Sequence, residues 1–396
     1  MHDHASIVER IDTEIEKWSA RAIALSDAMA ADPEISEQEY RSSKAHASFL
    51  QDSGFTVEYP FFGIPTAYNA TLRAGQGGKV CIMAEYDALP EIGHACGHNV
   101  HGAMSLLAGA ALAPIMKEIG GELWVTGTPA EESNGAKIIM ARDGLFDTFD
   151  LALMIHSGND KSHVRYRCLA MDSLEFRFTG KAAHAAAAPW AGRNALNGAQ
   201  LFFHAMDMMR QHVTPDVRIH GIYTLGGAAC NIVPEAATVR FYFRAERRAY
   251  LNTLMDKVYK AAKGCAMATD TDVEWSSFEL SFDDMQPNDA AETMMESVFA
   301  ECGVPFGPSP GPQGSSDVGN VSMRCPALQP TLSIIDKPYA WHTREFAAAT
   351  TGPLAHEALV KGARIIALAA LRALQDSELR KRMKEDFKAA SGHAAD

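Results

Sequence analysis

The hydrophobic positions at the start of the chain recur every three or four residues across 6–30. This spacing predicts an amphipathic helix, which the Asp-Pro pair at 32–33 interrupts. Ser36 is followed three residues later by Glu39, which is the spacing of a capping box. A second helix is therefore predicted to begin at Ser36 and to end near Gly54.

The next part of the chain alternates short apolar runs with helical patterns. The predicted strands cover about 55–60, 67–73, 79–86, 122–128 and 151–155. The predicted helices cover about 102–113 and 135–143. Alternation of strands and helices in this order is typical of an α/β domain, in which helices cover the faces of a sheet.

The pattern changes near residue 172, where apolar and charged residues alternate as they do in a half-exposed strand. The elements predicted from there are a strand at 174–178, a helix at 192–212, strands at 217–225 and 236–244, a helix at 247–266 and a strand at 272–282. This is the strand-helix-strand-strand-helix-strand order of a ferredoxin-like module. The first pattern resumes at about 286 and includes a long helix at 353–374.

The fold predicted from this order is an α/β chain of two domains, one inserted in the other. Residues 1–171 and 286–396 are predicted to form a discontinuous domain with a mixed sheet. Residues 172–285 are predicted to form the inserted, ferredoxin-like α+β domain. A chain of 396 residues is long for a single hydrophobic core, which agrees with two domains.

Composition narrows the function classes. The formal net charge of −13 disfavours nucleic acid as a partner, because phosphate binding needs a basic face. No apolar run approaches the ~20 residues that cross a bilayer, and no basic and then apolar segment opens the chain. We therefore expect neither a membrane partner nor export. Seven scattered cysteines do not resemble a disulfide framework and indicate a reducing, cytoplasmic location.

Candidate chemistry lies at the predicted strand ends. Glu85 and Asp87 lie at the end of the third predicted strand, and Cys96 and His98 lie at the start of the following helix. In open α/β sheets, ligands bind at the carboxyl ends of the strands. Thiolate, imidazole and carboxylate groups are the side chains that hold divalent transition metals. These residues therefore predict a metal-dependent hydrolase.

Similar side chains occur at further strand ends and turns. Glu131 and Glu132 follow a predicted strand, while His156 and His342 each follow an apolar run or lie in a turn. One carboxylate of the pair can bind a metal while the other moves a proton. Acidic pairs are often only solvated, however, and a lone histidine is often a hydrogen-bonded structural residue. The residue types alone leave both interpretations open.

The order of these motifs resembles the M20 family of metallopeptidases. The motifs that carry the resemblance are Asp-Ala-Leu-Pro at 87–90, His-Ala-Cys-Gly-His at 94–98, Pro-Ala-Glu-Glu at 129–132, Ile-His at 155–156, and the stretches 180–185, 231–234 and 314–320. The resemblance spans about 17 to 374. It is strongest to the branch with a Cys-Gly-His ligand pair, which includes hippurate, auxin-conjugate and aminobenzoyl-glutamate hydrolases.

The resemblance implies a centre of two divalent metal ions, manganese or zinc, with cobalt or nickel as alternatives. The metal ligands that it implies are Cys96, His98, Glu132, His156 and His342. It makes Glu131 the general base and Asp87 a carboxylate that orients a ligand. Glu85 stands where other branches of the family have a metal-binding histidine, so its role stays open.

The resemblance also assigns roles within the inserted domain. It implies that this domain forms a homodimer, in which His184 reaches the partner's active site and helps to stabilise an oxyanion. Asn231 and Arg244 would bind the carboxylate of a small-molecule substrate. Many members of the branch follow the Cys-Gly-His motif with aspartate, whereas this chain has Asn99, as on the aminobenzoyl-glutamate hydrolase side.

Three functions are compatible with these features. The expected reaction is hydrolysis of the amide bond in N-acyl or N-aroyl amino acids or in dipeptides. The second is hydrolysis of another carbon–nitrogen bond, such as that of an arylamine, because sites on one fold change their chemistry with few substitutions. The third is a non-catalytic protein that binds a small acid. The presence of Glu131 and of every implied ligand ranks this third function last.

Overall fold

A computed structural model of the protein describes residues 4–312 and 314–393. The chain divides into two compact units. Unit 1 comprises Met1–Arg167, Met285–Gln313 and Asp317–Asp396, and unit 2 comprises Cys168–Asp284 and Gly314–Ser316. Unit 2 therefore begins before the predicted boundary at 172 and takes in a short later segment. A hydrogen bond from the Leu169 N–H to the Gly314 carbonyl, at 2.9 Å, joins its two pieces.

The elements of unit 1 are numbered along the whole chain. Its helices are α1 (His4–Ala31), α2 (Tyr40–Asp52), α3 (His98–Leu112), α4 (Met116–Ile119), α5 (Ala136–Arg142), α8 (Asp289–Glu301), α9 (Val318–Ser322), α10 (Arg344–Ala349), α11 (Pro353–Gln375) and α12 (Ser377–His393). Its strands are β1 (Thr56–Glu58), β2 (Tyr68–Arg73), β3 (Lys79–Ala84), β4 (Glu122–Gly127), β5 (Leu151–Leu153), β6 (His156–Gly158), β11 (Ala327–Leu328) and β12 (Thr331–Ser333).

A mixed sheet of six strands organises unit 1, in the order β1-β2-β4-β3-β5-β11. Strands β4, β3, β5 and β11 run parallel, and β1 and β2 join them in antiparallel pairs. Strands β6 and β12 form a separate parallel pair. The carboxyl ends of β4, β3 and β5 therefore meet at one edge of the sheet. This architecture confirms the predicted α/β fold with a mixed sheet.

Helix α3 is the central helix of unit 1, and all of its residues are buried. Helices α1 and α11 pack against it, and α3 also packs on β3. Gly102 permits this close approach, because a Cβ there would lie 2.1 Å from the Glu85 carbonyl oxygen. The stretch His98–Ile119 has the length and composition of a membrane span, which contradicts the prediction that no apolar run approaches that length. Its burial is that of a core helix.

The predicted capping box at Ser36 and Glu39 is wrong. Helix α2 begins at Tyr40, and the Glu39 side chain makes no capping hydrogen bond. Glu34 takes this place, since its carboxylate accepts a hydrogen bond from the Ser42 backbone N–H at 2.7 Å. A carboxylate at a helix N-terminus satisfies a backbone donor that has no partner inside the helix. Ser36 and Glu39 therefore do not cap α2, and their side chains contact Asp87 and the Ala130 backbone N–H instead.

Unit 2 forms a smaller α+β module. Its elements are β7 (Ala170–Thr179), α6 (Ala195–Met209), β8 (Arg218–Leu225), β9 (Ala236–Ala245), α7 (Arg248–Ala268) and β10 (Asp272–Ser277). The strands form an antiparallel sheet in the order β10-β7-β9-β8, on which α6 and α7 pack. This order confirms the predicted ferredoxin-like module. Strand β8 is at the edge of the sheet and exposes Ile222, Tyr223 and Leu225.

Candidate metal centre

The acidic residues predicted for the site follow the carboxyl ends of neighbouring strands. Glu85 and Asp87 follow β3, and Glu131 and Glu132 follow β4. His156 begins β6 shortly after the end of β5. Because β4, β3 and β5 are adjacent and parallel, these side chains reach one edge of the sheet. This is the usual position of a ligand site in an open α/β sheet.

The Cys-Gly-His motif forms the turn into α3, with Gly97 as the N-cap residue. Gly97 has a φ of +80°, and a Cβ there would lie 2.6 Å from the Cβ of Ser157. Glycine adopts this conformation without strain and leaves room for Ser157. The turn therefore approaches the segment after β5 closely, and Cys96 Sγ lies 3.5 Å from His156 Nε2. His98 is the first residue of α3.

Short distances connect all five predicted metal ligands. Cys96, His98 and Glu132 each place one donor atom within 4.8 Å of the others. We call these three residues, together with His156 and His342, the donor group. His156 joins it through Cys96. His342 joins it through Glu132, with 3.4 Å between His342 Nε2 and Glu132 Oε1. His342 has a φ of +62°, a conformation that is uncommon for a residue other than glycine and that recurs at constrained functional sites.

The environment of His98 tests whether this group suits a metal ion. Its Nε2 atom is buried and has no hydrogen-bond partner among the residues that the structure describes. Three carboxylate oxygens lie around this atom, from Glu85 at 3.6 Å, Glu132 at 3.8 Å and Glu131 at 3.9 Å. An unpartnered imidazole nitrogen beside a thiol and carboxylates is a donor set that suits a divalent transition metal. The residues therefore fit a metal centre.

Asp87 holds the other ring nitrogen of His98, with 2.9 Å between Oδ1 and Nδ1. Its second oxygen accepts hydrogen bonds from Ser36 Oγ at 2.8 Å and from the Glu132 N–H at 3.0 Å. Burial would raise the pKa of Asp87, but the His98 charge and these hydrogen bonds lower it. Asp87 is therefore a carboxylate that accepts the proton of Nδ1, which leaves Nε2 directed at the donor group.

Glu131 lies beside the donor group as a buried carboxyl. Burial raises its pKa well above the ordinary value, and the charges of Glu85 and Glu132 raise it further. A raised pKa suits a carboxyl that exchanges a proton near neutral pH. The preceding residue, Ala130, has a φ of +62°, and its N–H donates to Glu39 Oε1 at 2.9 Å. Glu39 therefore holds the turn that presents Glu131.

Three buried residues near the donor group were not predicted from the sequence. Lys137 Nζ lies 2.7 Å from Glu85 Oε1 and 2.6 Å from Asp317 Oδ1. His101 Nε2 lies 2.8 Å from Glu85 Oε2. His101 follows the Cys-Gly-His motif closely and Asp317 lies within the motif at 314–320, so both had a local signal. Lys137, on α5, had none.

The remaining predicted site residues, His184, Asn231 and Arg244, belong to unit 2. His184 is exposed, and a β-bridge between His184 and Ile232 pairs its segment with that of Asn231. Arg244 lies on β9 and donates a hydrogen bond to Ser315 Oγ at 3.3 Å. The roles expected for these three residues stay predictions.

Known proteins resemble this chain in both sequence and fold. Residues 171–265 match the peptidase dimerisation domain. The Xaa-Arg dipeptidase of Mus musculus is 31% identical over 402 residues, which cover 96% of this chain and 91% of that protein. A p-aminobenzoyl-glutamate hydrolase polypeptide of Escherichia coli strain K12 is 32% identical over 316 residues, which cover 74% of this chain and 65% of that protein.

A solved structure extends the similarity to the fold. It is a dinuclear metal-binding peptidase of the M20 family from Bacillus subtilis, with a TM-score of 0.70 over 91% of this chain and 98% of that one. Its sequence identity of 18% makes this a likeness of fold. The dipeptidase adds a sequence relationship over nearly the whole chain. The chain therefore belongs to the M20 peptidase family.

Proposed function

We propose that this protein is a metal-dependent amidohydrolase that cleaves the amide bond of N-acyl or N-aroyl amino acids or of dipeptides. The observation that carries the proposal is the convergence of donor atoms around His98 Nε2, a buried nitrogen without a hydrogen-bond partner in the described chain. The residues that would hold two divalent ions are Cys96, His98, Glu132, His156 and His342. Manganese or zinc suits this donor set, with cobalt or nickel as alternatives.

The residues in and around the donor group have different roles in the proposed reaction. Two bound ions would lower the proton affinity of a water molecule and polarise the amide carbonyl. Glu131 would accept a proton from the attacking water molecule and deliver it to the departing amine, a role that its raised pKa supports. Asp87 keeps the ring proton of His98 on Nδ1, so that Nε2 stays available as a ligand.

Unit 2 is assigned to dimer formation and substrate binding. The match of residues 171–265 to a peptidase dimerisation domain supports this assignment. The exposed apolar residues of the edge strand β8 support it too, because a second copy would cover them. In the homodimer, His184 would donate to the oxyanion that develops in the partner's site. Asn231 and Arg244 would bind the substrate carboxylate, to which a planar guanidinium is well suited.

The composition of the chain supports a small-molecule substrate in a reducing, cytoplasmic compartment. The seven cysteines all lie in the described part of the chain and form no disulfide there, as is usual where thiols are kept reduced. The net charge of −13 does not suit nucleic acid as a partner. Two relatives carry the names of a Xaa-Arg dipeptidase and a p-aminobenzoyl-glutamate hydrolase, which supports a small substrate with an amide bond and a carboxylate.

Amine release followed by chromatography tests the proposal. The protein is stripped with a chelator and reloaded with manganese or zinc. It is then offered benzoyl-, aminobenzoyl-, indoleacetyl- and acetyl-amino acids, dipeptides and free aminobenzoates. We expect metal-dependent cleavage of one amide class. Ammonia from an aminobenzoate alone would instead indicate hydrolysis of an arylamine bond. Binding of a small acid without turnover of any compound would contradict an enzymatic role.

A further inference from the structure

Lys137 on α5 is a fully buried cation between two carboxylates. Its Nζ lies 2.7 Å from Glu85 Oε1 and 2.6 Å from Asp317 Oδ1. Burial would lower the pKa of Lys137, but the charges of Asp317 and Glu85 outweigh burial and raise it, so the side chain is an ammonium. Asp317 also accepts a hydrogen bond from the backbone N–H of Lys137 at 3.2 Å. Both the backbone and the side chain of Lys137 are therefore held in place.

Glu85 connects Lys137 to the Cys-Gly-His turn. Its second oxygen, Oε2, lies 2.8 Å from His101 Nε2. The Ser157 N–H donates to His101 Nδ1 at 3.1 Å, so the ring proton is on Nε2 and is donated to Glu85. Ser157 Oγ in turn donates to the Gly97 carbonyl at 3.0 Å. An unbroken series of hydrogen bonds therefore runs from Lys137 to the middle of the Cys-Gly-His turn.

The position of Glu85 matters because its Oε2 atom lies only 3.6 Å from Nε2 of His98. A carboxylate that moved a short distance toward this nitrogen would favour the tautomer with the ring proton on Nε2, accept a hydrogen bond from it and so compete with a metal ion. Lys137 and His101 each hold one oxygen of Glu85, so the carboxylate stays where it is. The ammonium also offsets the charge of an acidic cluster in which Glu85, Glu131 and Asp317 have oxygens within 4.8 Å.

We infer that Lys137 is a positioning residue of the metal centre. It holds Glu85 away from the ligand nitrogen of His98 and, through His101 and Ser157, fixes the Cys-Gly-His turn. The ammonium of Lys137 contacts Glu85 and Asp317, neither of which is among the five proposed metal ligands. The inference rests on the ligand set of the proposed function and adds to it a residue outside every motif of the sequence.

A charge-balanced variant tests this role. Lys137→Met alone leaves two buried carboxylates without their cation, which is expected to impair folding. The double variant Lys137→Met/Asp317→Asn removes one charge of each sign, and Asp317→Asn alone is its matched reference. Lys79→Met is a second control, because Lys79 Nζ donates to Thr148 Oγ1 at 2.8 Å, outside the donor group. Lys137→Gln in the Asp317→Asn background repeats the test with a polar side chain.

Two properties are measured on each folded variant. Calorimetry gives the dissociation constant for Mn²⁺. The visible spectrum of the cobalt-loaded protein reports the geometry of the Cys96 thiolate, which a change in stability alone would leave unaltered.

We expect the double variant to bind Mn²⁺ about 10–100-fold more weakly than Asp317→Asn, with an altered cobalt spectrum. Lys79→Met should match the wild type in both measurements. A double variant with the affinity and the spectrum of Asp317→Asn would overturn the inference, since Lys137 would then only balance charge. A wild-type protein that binds no Mn²⁺, Zn²⁺ or Co²⁺ would overturn the proposed function itself.

Discussion

Asp87 Oδ1 lies 2.9 Å from His98 Nδ1, and this contact decides which nitrogen of the imidazole faces the donor group. Because Asp87 is ionised, the ring keeps a proton on Nδ1 and presents Nε2 to a ligand. We expect Asp87→Asn to weaken Mn²⁺ binding by about 10–100-fold, since the asparagine amide can also turn its NH₂ group toward Nδ1. Calorimetry on metal-stripped protein measures this change.

Ser36→Ala is the matched control for Asp87→Asn. It removes one hydrogen bond to the other oxygen of Asp87 and leaves the contact with His98 intact. A single hydrogen bond of this kind contributes about 1 kcal/mol, so its effect on metal affinity should be much the smaller of the two. Equal Mn²⁺ affinities for Asp87→Asn and the wild type would refute the orienting role.

Glu131 and Glu132 are adjacent in the chain, but we expect substitutions at the two positions to have different effects on turnover and metal binding. We expect Glu131→Gln to lower kcat about 10²–10⁴-fold while both metal ions remain bound, because the variant loses only the proton acceptor. Glu132→Gln should lose metal, because it removes a donor from the group around His98. Metal content by mass spectrometry and turnover on the best amide substrate separate the two effects. Unchanged turnover in Glu131→Gln would exclude it as the general base.

Gly97→Ala should damage both stability and the metal centre. The backbone at Gly97 has a φ of +80°, and the added Cβ would meet the Cβ of Ser157 at 2.6 Å. We expect a loss of about 1–3 kcal/mol in the free energy of unfolding from backbone strain alone. Urea unfolding of the metal-free protein measures it.

Gly264→Ala is the control for Gly97→Ala, and we expect it to change the free energy of unfolding in the opposite direction. Gly264 lies within α7, and a Cβ there meets nothing within 4 Å. The free energy of unfolding of this variant should be about 0.5–1 kcal/mol higher than that of the wild type, because alanine is the better helix former. A destabilisation of similar size in both variants would show that the Gly97 turn has no special requirement for glycine.

The edge strand β8 offers a test of dimer formation. Ile222 is 63% exposed on this strand, and we expect Ile222→Lys to shift a dimer toward monomers by placing a charge in the contact. Met267→Lys is the control, because Met267 is 84% exposed on α7, outside β8. Light scattering after size-exclusion chromatography gives the mass of each. Dimers of undiminished stability in Ile222→Lys would rule out β8 as the contact.

The stability of the metal-free protein should depend on pH through Glu39. Burial raises the pKa of Glu39 to about 7, and the charge of Asp87 adds to the shift, whereas the ordinary value is 4.5. Between these values the folded protein holds a proton that the unfolded chain has released. The free energy of unfolding therefore falls as the pH rises from about 4.5 to 7, by up to about 1.4 kcal/mol per pH unit.

Glu39→Gln should remove this part of the pH dependence, because glutamine does not titrate. Urea unfolding at pH 5, 6, 7 and 8 measures the slope in the variant and in the wild type. Glu16→Gln, at an exposed position on α1, should keep the wild-type slope. Identical slopes for the wild type and Glu39→Gln would show that Glu39 titrates in the folded protein as it does in the unfolded chain.

The local pattern of apolar and polar residues was sufficient to predict much of the fold. Apolar periodicity is a property of neighbouring residues, so it located the strands around 79–86 and 122–128 and the strand-helix order of unit 2. The same strand ends carried the acidic pair Glu131 and Glu132, and the motif spacing named Cys96 and His98 before any contact was known. Local spacing failed at Ser36, because Glu34 accepts the hydrogen bond from the start of α2 and the Ser36 hydroxyl instead contacts Asp87, which is distant in the chain.

By itself, the sequence determined which residue types stand at which strand ends and helix starts. Only the tertiary structure decided which of them meet. Lys137 and Asp317 are 180 positions apart, and Glu132 and His342 are also distant in the chain, yet each pair is in contact. The physical reason is that these contacts follow from the sheet order β4-β3-β5 and the loops that return to it. Backbone periodicity contains no information about that order.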